Sequence, residues 1–142
     1  MTDYSELSHK LTKQLSKSDK KNSGIYFTPP KTIAKNLEVL KEFMPNIKSV
    51  LEPSCGSCEF ITQLNSKHKN LEITGLELNK TIFNSIKHKS NNNIKIYNKD
   101  FLTHSNTNKY DLILGNPPYI VMKKHEVDKH YYDYFTGRPN IF

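Results

Sequence analysis

From Ile47 to Gly115 the hydrophobic pattern of the chain keeps switching between short apolar runs and segments of helical spacing. IKSVLE (47–52) is a β-type run, and CEFITQLNSKH (58–68) sets Phe60, Ile61 and Leu64 on one helical face. LEITGLEL (71–78) is strand-like again. TIFNSIKHK (81–89) returns to helical spacing through Ile82, Phe83 and Ile86, after which NIKIYNKD (93–100) and YDLILG (110–115) read as a third and a fourth strand. Strands separated by helices cannot fold back as hairpins; they pair in parallel through crossovers. The predicted class is therefore α/β, a parallel sheet with helices on both faces, and ligands belong at the carboxyl ends of its strands.

The flanks are simpler. Leu7, Leu11 and Leu15, with Tyr4 on the same side, form the stripe of an amphipathic helix within residues 3–18, able to dock on the body or on a partner. SKSDKKNSG (16–24) breaks that stripe as a polar linker, so residues 1–21 read as helix plus linker and 22–142 as the main domain. After IYFTPP, Pro30 sits where a first helical turn tolerates a missing N–H, and Ile33, Leu37, Leu40 and Met44 repeat at helical spacing until Pro45. Past Tyr119 the chain is polar and aromatic, with turn chemistry at Gly137 to Pro139.

Composition narrows the partners. Twenty-one Lys and Arg against 14 Asp and Glu leave a net charge of +7, which favours a polyanion such as nucleic acid. No apolar stretch approaches the ~20 residues of a membrane span, and the N-terminus lacks a signal pattern, so a soluble, intracellular, cytoplasmic protein is expected. The two cysteines, Cys55 and Cys58, have no second pair and no His at zinc-ligand spacing, which argues against a structural metal. A thioredoxin-type redox pair fits the spacing alone but lacks the usual aromatic and proline context, so reduced thiols are the expectation.

The strand ends carry the chemistry. The first opens into EPSCGSCEF (52–60), a loop with Gly56 that leads straight into a helix and lets backbone N–H groups approach a ligand. Read alone, it is also an ordinary tight turn. The second strand ends at Glu77, 21 positions after Gly56, near the ~20-residue separation at which an acidic side chain accepts ribose hydroxyls. The third ends at Asp100 and Phe101, an acceptor beside a flat ring. The fourth ends in Asn116-Pro117-Pro118-Tyr119, where two prolines restrict the backbone and hold the Asn116 amide and the Pro117 carbonyl as rigid acceptors beside an aromatic ring.

Taken in order, YFTPP, EPSCGSCEF, GLELN, KDF and NPPY resemble the adenine-N6 DNA methyltransferases that depend on S-adenosylmethionine, in the group where the YFTPP-type motif precedes the glycine loop, as in type I and related restriction-modification enzymes. The resemblance covers about residues 22 to 142. It implies a Rossmann-like methyltransferase sheet, with Tyr26, Phe27 and Thr28 near the methionine end of the cofactor, Glu52, Ser54 and Gly56 along its middle, Glu77 on the ribose, and Asp100 and Phe101 at its adenine. Asn116, Pro117 and Tyr119 would receive a target adenine flipped out of DNA. The family usually has a second glycine where Cys58 stands, and it carries further strands and a target-recognition region. On that reading the sheet is incomplete, the chain is an N-terminal portion or truncated product, and a C-terminal portion or specificity subunit completes it.

Two other readings remain at this point. NPPY serves other planar amines equally well, namely a glutamine amide of a protein or a guanine amine of rRNA; the position of YFTPP ahead of the glycine loop favours DNA. The third is a non-catalytic remnant or subunit.

Overall fold

The computed structural model of the protein describes residues 4–17, 20, 24–104, 108–121, 127, 129–134 and 140–141. The chain divides into two compact units, Met1–Gln14 with Phe27–Asn116 and Leu15–Tyr26 with Pro117–Phe142.

The first unit contains the four expected strands, β1 (Ser49–Glu52), β2 (Glu72–Leu76), β3 (Ile94–Tyr97) and β4 (Leu112–Ile113), all parallel and in the spatial order β3-β2-β1-β4. Its helices are α1 (Glu6–Gln14), α2 (Pro30–Val39), α3 (Glu59–Lys67) and α4 (Lys80–Ile86), of which α3 and α4 fill the crossovers from β1 to β2 and from β2 to β3. β1, flanked on both sides, is buried along its length after Ser49, whereas β3 alternates buried and exposed residues as a strand covered on one face does. β4 is the most shortened relative to its hydrophobic run. It pairs only through Val50 with Leu112 and Leu51 with Ile113, and Ile113 remains 59% exposed.

Helix limits follow local chemistry. α2 starts at Pro30, with Pro29 extended before it (φ −61°, ψ 138°), because a proline at the first position needs no N–H and its fixed φ suits the helix. It ends at Val39, sooner than the repeat of Leu40 and Met44 predicts; turns on the Leu40 carbonyl, which accepts the N–H groups of Phe43 and Met44, carry the chain into a 3-10 turn over Met44–Asn46 that contains Pro45. Met44 is nevertheless buried. α4 is capped by Asn79, whose Oδ1 accepts the N–H groups of Thr81 at 3.0 Å and Ile82 at 3.1 Å.

Val50, Ile73, Leu76, Ile61, Leu64, Ile82, Ile86, Ile33 and Leu11 are all but fully buried, so strands and all four helices contribute to one core. Gly75 in β2 sets how closely α3 approaches the sheet: a Cβ there would lie 2.7 Å from Ile61 Cδ1 and 3.3 Å from Cys55 Sγ.

In the second unit β5 (Ile120–Val121) and β6 (Asn140–Ile141) form an antiparallel pair, and Lys129–Tyr134 is a 3-10 helix.

Candidate active site

The strand order locates the site before any side chain is considered. β2 and β3 lie on one side of β1 and β4 lies on the other, so the chain reverses direction across the sheet between β1 and β4. At such a reversal the connections leave in opposite directions and open a crevice at the carboxyl ends. Two expected motifs lie there. The Leu114 N–H continues the β1–β4 ladder onto Leu51 O at 3.1 Å. A Cβ on Gly115 would stand 3.6 Å from Glu52 Cγ and from Pro53 Cδ, which brings the Gly115-Asn116 end of β4 beside the loop that follows β1.

That loop is held by the neighbouring strand. Cys55 N–H donates to Leu76 O at 2.8 Å, Cys58 N–H closes a turn on Cys55 O at 2.7 Å, and Gly56 has φ +51°. The Phe27 ring covers Gly56, with Cδ1 at 3.5 Å from where a Cβ would be. Gly56 N–H donates to Glu77 Oε2 at 2.9 Å, and Asn79 N–H donates to Glu77 Oε1 at 2.7 Å. The 21-residue spacing seen in sequence thus becomes a direct contact.

Burial raises the Glu77 carboxyl above its usual range, while these two N–H groups pull the other way. Glu52 is raised well above it, first by burial and then by the charges of Cys58 and Glu77, against the pull of the Ile61 backbone N–H in the first turn of α3. Glu52 Oε2 and Ser54 Oγ are buried and, among the described residues, have no hydrogen-bond partner. Unsatisfied buried polar atoms are costly, so the loop presents groups suited to a polar ligand.

Cys58 adopts the left-handed conformation, φ 62° and ψ 33°, at the position where the resemblance leads one to expect glycine, and it is fully buried at the start of α3. Cys55 is buried too, and its thiol is pushed far up by its hydrogen bond with the Cys58 side chain and then by burial. Both cysteines are free thiols.

At the end of β3, Asp100 Oδ1 accepts the Leu102 N–H at 3.0 Å and the Phe101 ring is partly exposed. Asn98, which sequence reasoning passed over, clamps this end to the previous one by donating from Nδ2 to Glu77 O at 2.7 Å and Leu78 O at 3.0 Å. Its only signal was an amide in the turn of KIYNKD. Also missed was Ser8 of α1, whose hydroxyl donates to Ser57 Oγ in the glycine loop at 2.9 Å.

Asn116 Nδ2 donates to Thr28 Oγ1 at 3.1 Å, joining NPPY to YFTPP across 88 residues. Within the second unit, Tyr119 N–H donates to Gly24 O at 3.3 Å, and the Tyr26 and Tyr119 rings meet edge-on with centroids 6.4 Å apart. Pro117 opens the C-terminal part of that unit.

The fold is that of the Rossmann-like methyltransferases: the plantazolicin methyltransferase BpumL, in a complex with SAH, matches at a TM-score of 0.53 and 20% identity over 61% of this chain and 35% of that one. The chain belongs to the N-6 DNA Methylase family, whose profile matches residues 5–140. Among its relatives, the type II methyltransferase M.CvrRI of Paramecium bursaria Chlorella virus XZ-6E is 35% identical over 117 residues, which is 82% of this chain and 30% of that protein. The modification methylase CviBIII of Paramecium bursaria Chlorella virus NC1A is 36% identical over 121 residues, 83% of this chain and 32% of that protein. The chain therefore spans about a third of the length of these curated relatives.

Proposed function

We propose that this chain carries the cofactor-binding and amine-binding parts of a DNA methyltransferase that moves a methyl group from S-adenosylmethionine to N6 of adenine. The observation that carries the proposal is the meeting of two motifs at the strand reversal: the Glu77-tethered glycine loop after β1 and the Asn116 amide after β4. The named activities of the relatives, a type II methyltransferase and a modification methylase, support DNA as the substrate. So does the net charge of +7.

The residues present fit S-adenosylmethionine. Glu52 Oε2 and Ser54 Oγ, without partners among the described residues, would line its middle and face the ammonium donors of its methionine part, and Gly56, lacking a Cβ, allows close approach. Glu77 would hold the ribose, Asp100 and Phe101 the adenine ring, and Tyr26, Phe27 and Thr28 the methionine end. When bound, the cofactor supplies an electrophilic sulfonium methyl.

The protein's own task is the amine. An adenine N6 lone pair is delocalised into the ring, so acceptors on its two N–H bonds draw the nitrogen toward tetrahedral geometry and free that lone pair. Asn116 Oδ1 and the Pro117 carbonyl are those acceptors in this proposal. No titrating base is needed before the methyl carbon is attacked; the work is positioning and oriented dipoles. A stacked adenine cannot enter such a site, so the base is flipped, and stacking on Tyr119 recovers ~1–3 kcal/mol.

The test is transfer of labelled methyl groups to DNA, rRNA and protein by the product of the full reading frame, with and without Asn116→Ala. DNA should be labelled on adenine N6, and Asn116→Ala should lower turnover far more than cofactor affinity, because the contact strengthens in the transition state. Labelling of rRNA or of a glutamine amide instead would replace DNA as the substrate, and unchanged turnover in Asn116→Ala would remove that residue from the reaction.

A further inference from the structure

The Asn116 amide can work as an acceptor only in one of its two orientations. Rotation by half a turn about χ2 exchanges Oδ1 and Nδ2 at almost no steric cost, since the oxygen and the NH2 group are nearly the same size. One orientation offers the incoming amine a lone pair. The other offers it two N–H donors and repels it. The prolines after Asn116 restrain the backbone but leave χ2 free.

We infer that the Thr28 hydroxyl is the positioning group that holds Asn116 with Oδ1 presented as the acceptor. Thr28 Oγ1 takes the hydrogen bond from Asn116 Nδ2 at 3.1 Å, which leaves Oδ1 for a ligand. A hydroxyl also donates, so Thr28 selects this orientation together with the incoming amine, whose N–H needs Oδ1 while the NH2 group needs the Thr28 oxygen. Thr28 is itself a stiff support. It precedes Pro29, which biases its backbone to extended geometry, and Pro29-Pro30 form the start of α2. Gln63 Nε2 donates to Pro30 O at 2.9 Å and fastens that start to α3. The support therefore runs from the core helix α3 through the start of α2 to the amide. This gives Thr28 a role separate from any contact with the methionine end of the cofactor, and it rests on the reading of Asn116 as an acceptor for the target amine.

The experiment compares wild type, Thr28→Ser and Thr28→Val, using the Asn116 side-chain NH2 resonances in 15N NMR spectra, assigned by their loss in Asn116→Asp. Valine keeps the shape of threonine without the oxygen, and serine keeps the oxygen. Wild type and Thr28→Ser should show a shifted, exchange-protected Asn116 NH2 pair, and Thr28→Val should exchange about tenfold faster, as expected for loss of one hydrogen bond. Backbone spectra of all three should coincide outside the contact. S-adenosylhomocysteine affinity, measured by calorimetry, should change less than methyl-transfer turnover in Thr28→Val, and turnover should be restored in Thr28→Ser. Identical Asn116 NH2 signals in wild type and Thr28→Val would overturn the inference, as would a loss of turnover that serine fails to restore. If the NMR signature follows the hydroxyl but no chain methylates any substrate, the orientation of the amide stands and the proposed function falls.

Discussion

Glu77 accepts the Gly56 N–H at 2.9 Å on one carboxylate oxygen and the Asn79 N–H at 2.7 Å on the other. A single side chain thereby joins the loop after β1 to the capped start of α4. A carboxylate has about four acceptor positions, so after these two bonds it retains two, the number that a ribose diol needs.

The first prediction follows from that count. Glu77→Ala should lower affinity for S-adenosylhomocysteine by about tenfold or more, since a charged acceptor of two hydrogen bonds is lost. Because the same change frees the loop, calorimetry should include an analogue lacking the ribose hydroxyls. Wild type should prefer the complete ligand and Glu77→Ala should have lost that preference; an equal preference in both would take Glu77 off the ribose.

A second prediction concerns pH. The carboxyls of Glu52 and Glu77 are both raised above 4.5 in the folded protein, so folding favours their protonated forms. Their contribution is complete below the unfolded value and is lost as pH rises through the folded values, with a slope approaching about 1.4 kcal/mol per pH unit for one group. Asp111 acts in the opposite sense. Backbone N–H groups of Lys48 and Ser49 hold it below 3.8, and its contribution disappears as pH falls through its lowered value. Melts of the unliganded protein should therefore shift to lower temperature as pH rises above the ordinary carboxylate range. Glu52→Gln should flatten that trend and raise the melting temperature at the alkaline end, because an amide has no charge to bury. A trend equally steep in Glu52→Gln would show that Glu52 is not its source.

Local chemistry explains which parts of this fold could be read in the sequence. β1, β2 and β3 are β-branched runs bounded by turn residues, and α2 announces its start at Pro30, so pattern and structure agree. YDLILG overstates β4, because the length of an apolar run does not reveal that a strand has only one pairing neighbour. The helix predicted within residues 3–18 spans Glu6–Gln14 as α1; Tyr4 and Leu15 of the stripe lie beyond its ends, and Leu15 is buried all the same. The central position of β1 depends on crossovers that no local window contains. The same holds for the bonds from Ser8 to Ser57 and from Asn116 to Thr28, which join polar residues far apart in the chain and follow no period. What sequence supplied at the site was residue type and order; what it left out was which polar groups restrain which.

Cys58 gives a third prediction. A residue with a Cβ at φ 62° is held in the left-handed region at a cost of about 1–2 kcal/mol, which glycine does not incur. Replacement by alanine keeps that cost and loses the buried sulfur, whereas glycine loses the sulfur and gains the conformational freedom. Cys58→Gly should therefore be more stable than Cys58→Ala by about 1 kcal/mol in urea unfolding, the reverse of the usual order of these two residues inside a helix. Alanine proving the more stable would show that the left-handed geometry at this position is not costly.

The last prediction concerns the glycine loop's support from outside the sheet. Ser8 and Ser57 are both buried, and their hydroxyls lie 2.9 Å apart, so α1 meets the loop through a hydrogen bond screened from water. Ser5 Oγ donates to Ser8 Oγ at 3.0 Å, and Glu59 Oε1 offers Ser8 a second, longer acceptor at 3.4 Å at the start of α3. Leu11, one turn further along α1 and fully buried, anchors the helix to the core of the first unit. α1 is thus a brace on the cofactor loop as well as part of the core, and the two roles separate by mutation. Ser8→Ala should remove about 1 kcal/mol of stability through the lost hydrogen bond and should speed amide exchange at Gly56, Ser57 and Cys58 more than at the strand residues Val50 and Ile73. Leu11→Ala should cost about 2–5 kcal/mol and speed exchange throughout the first unit, since it opens a cavity in the core. Hydrogen-exchange mass spectrometry or NMR on the two variants distinguishes them, and Ser8→Ala with unaltered exchange at Gly56 and Ser57 would show that the loop keeps its shape without α1.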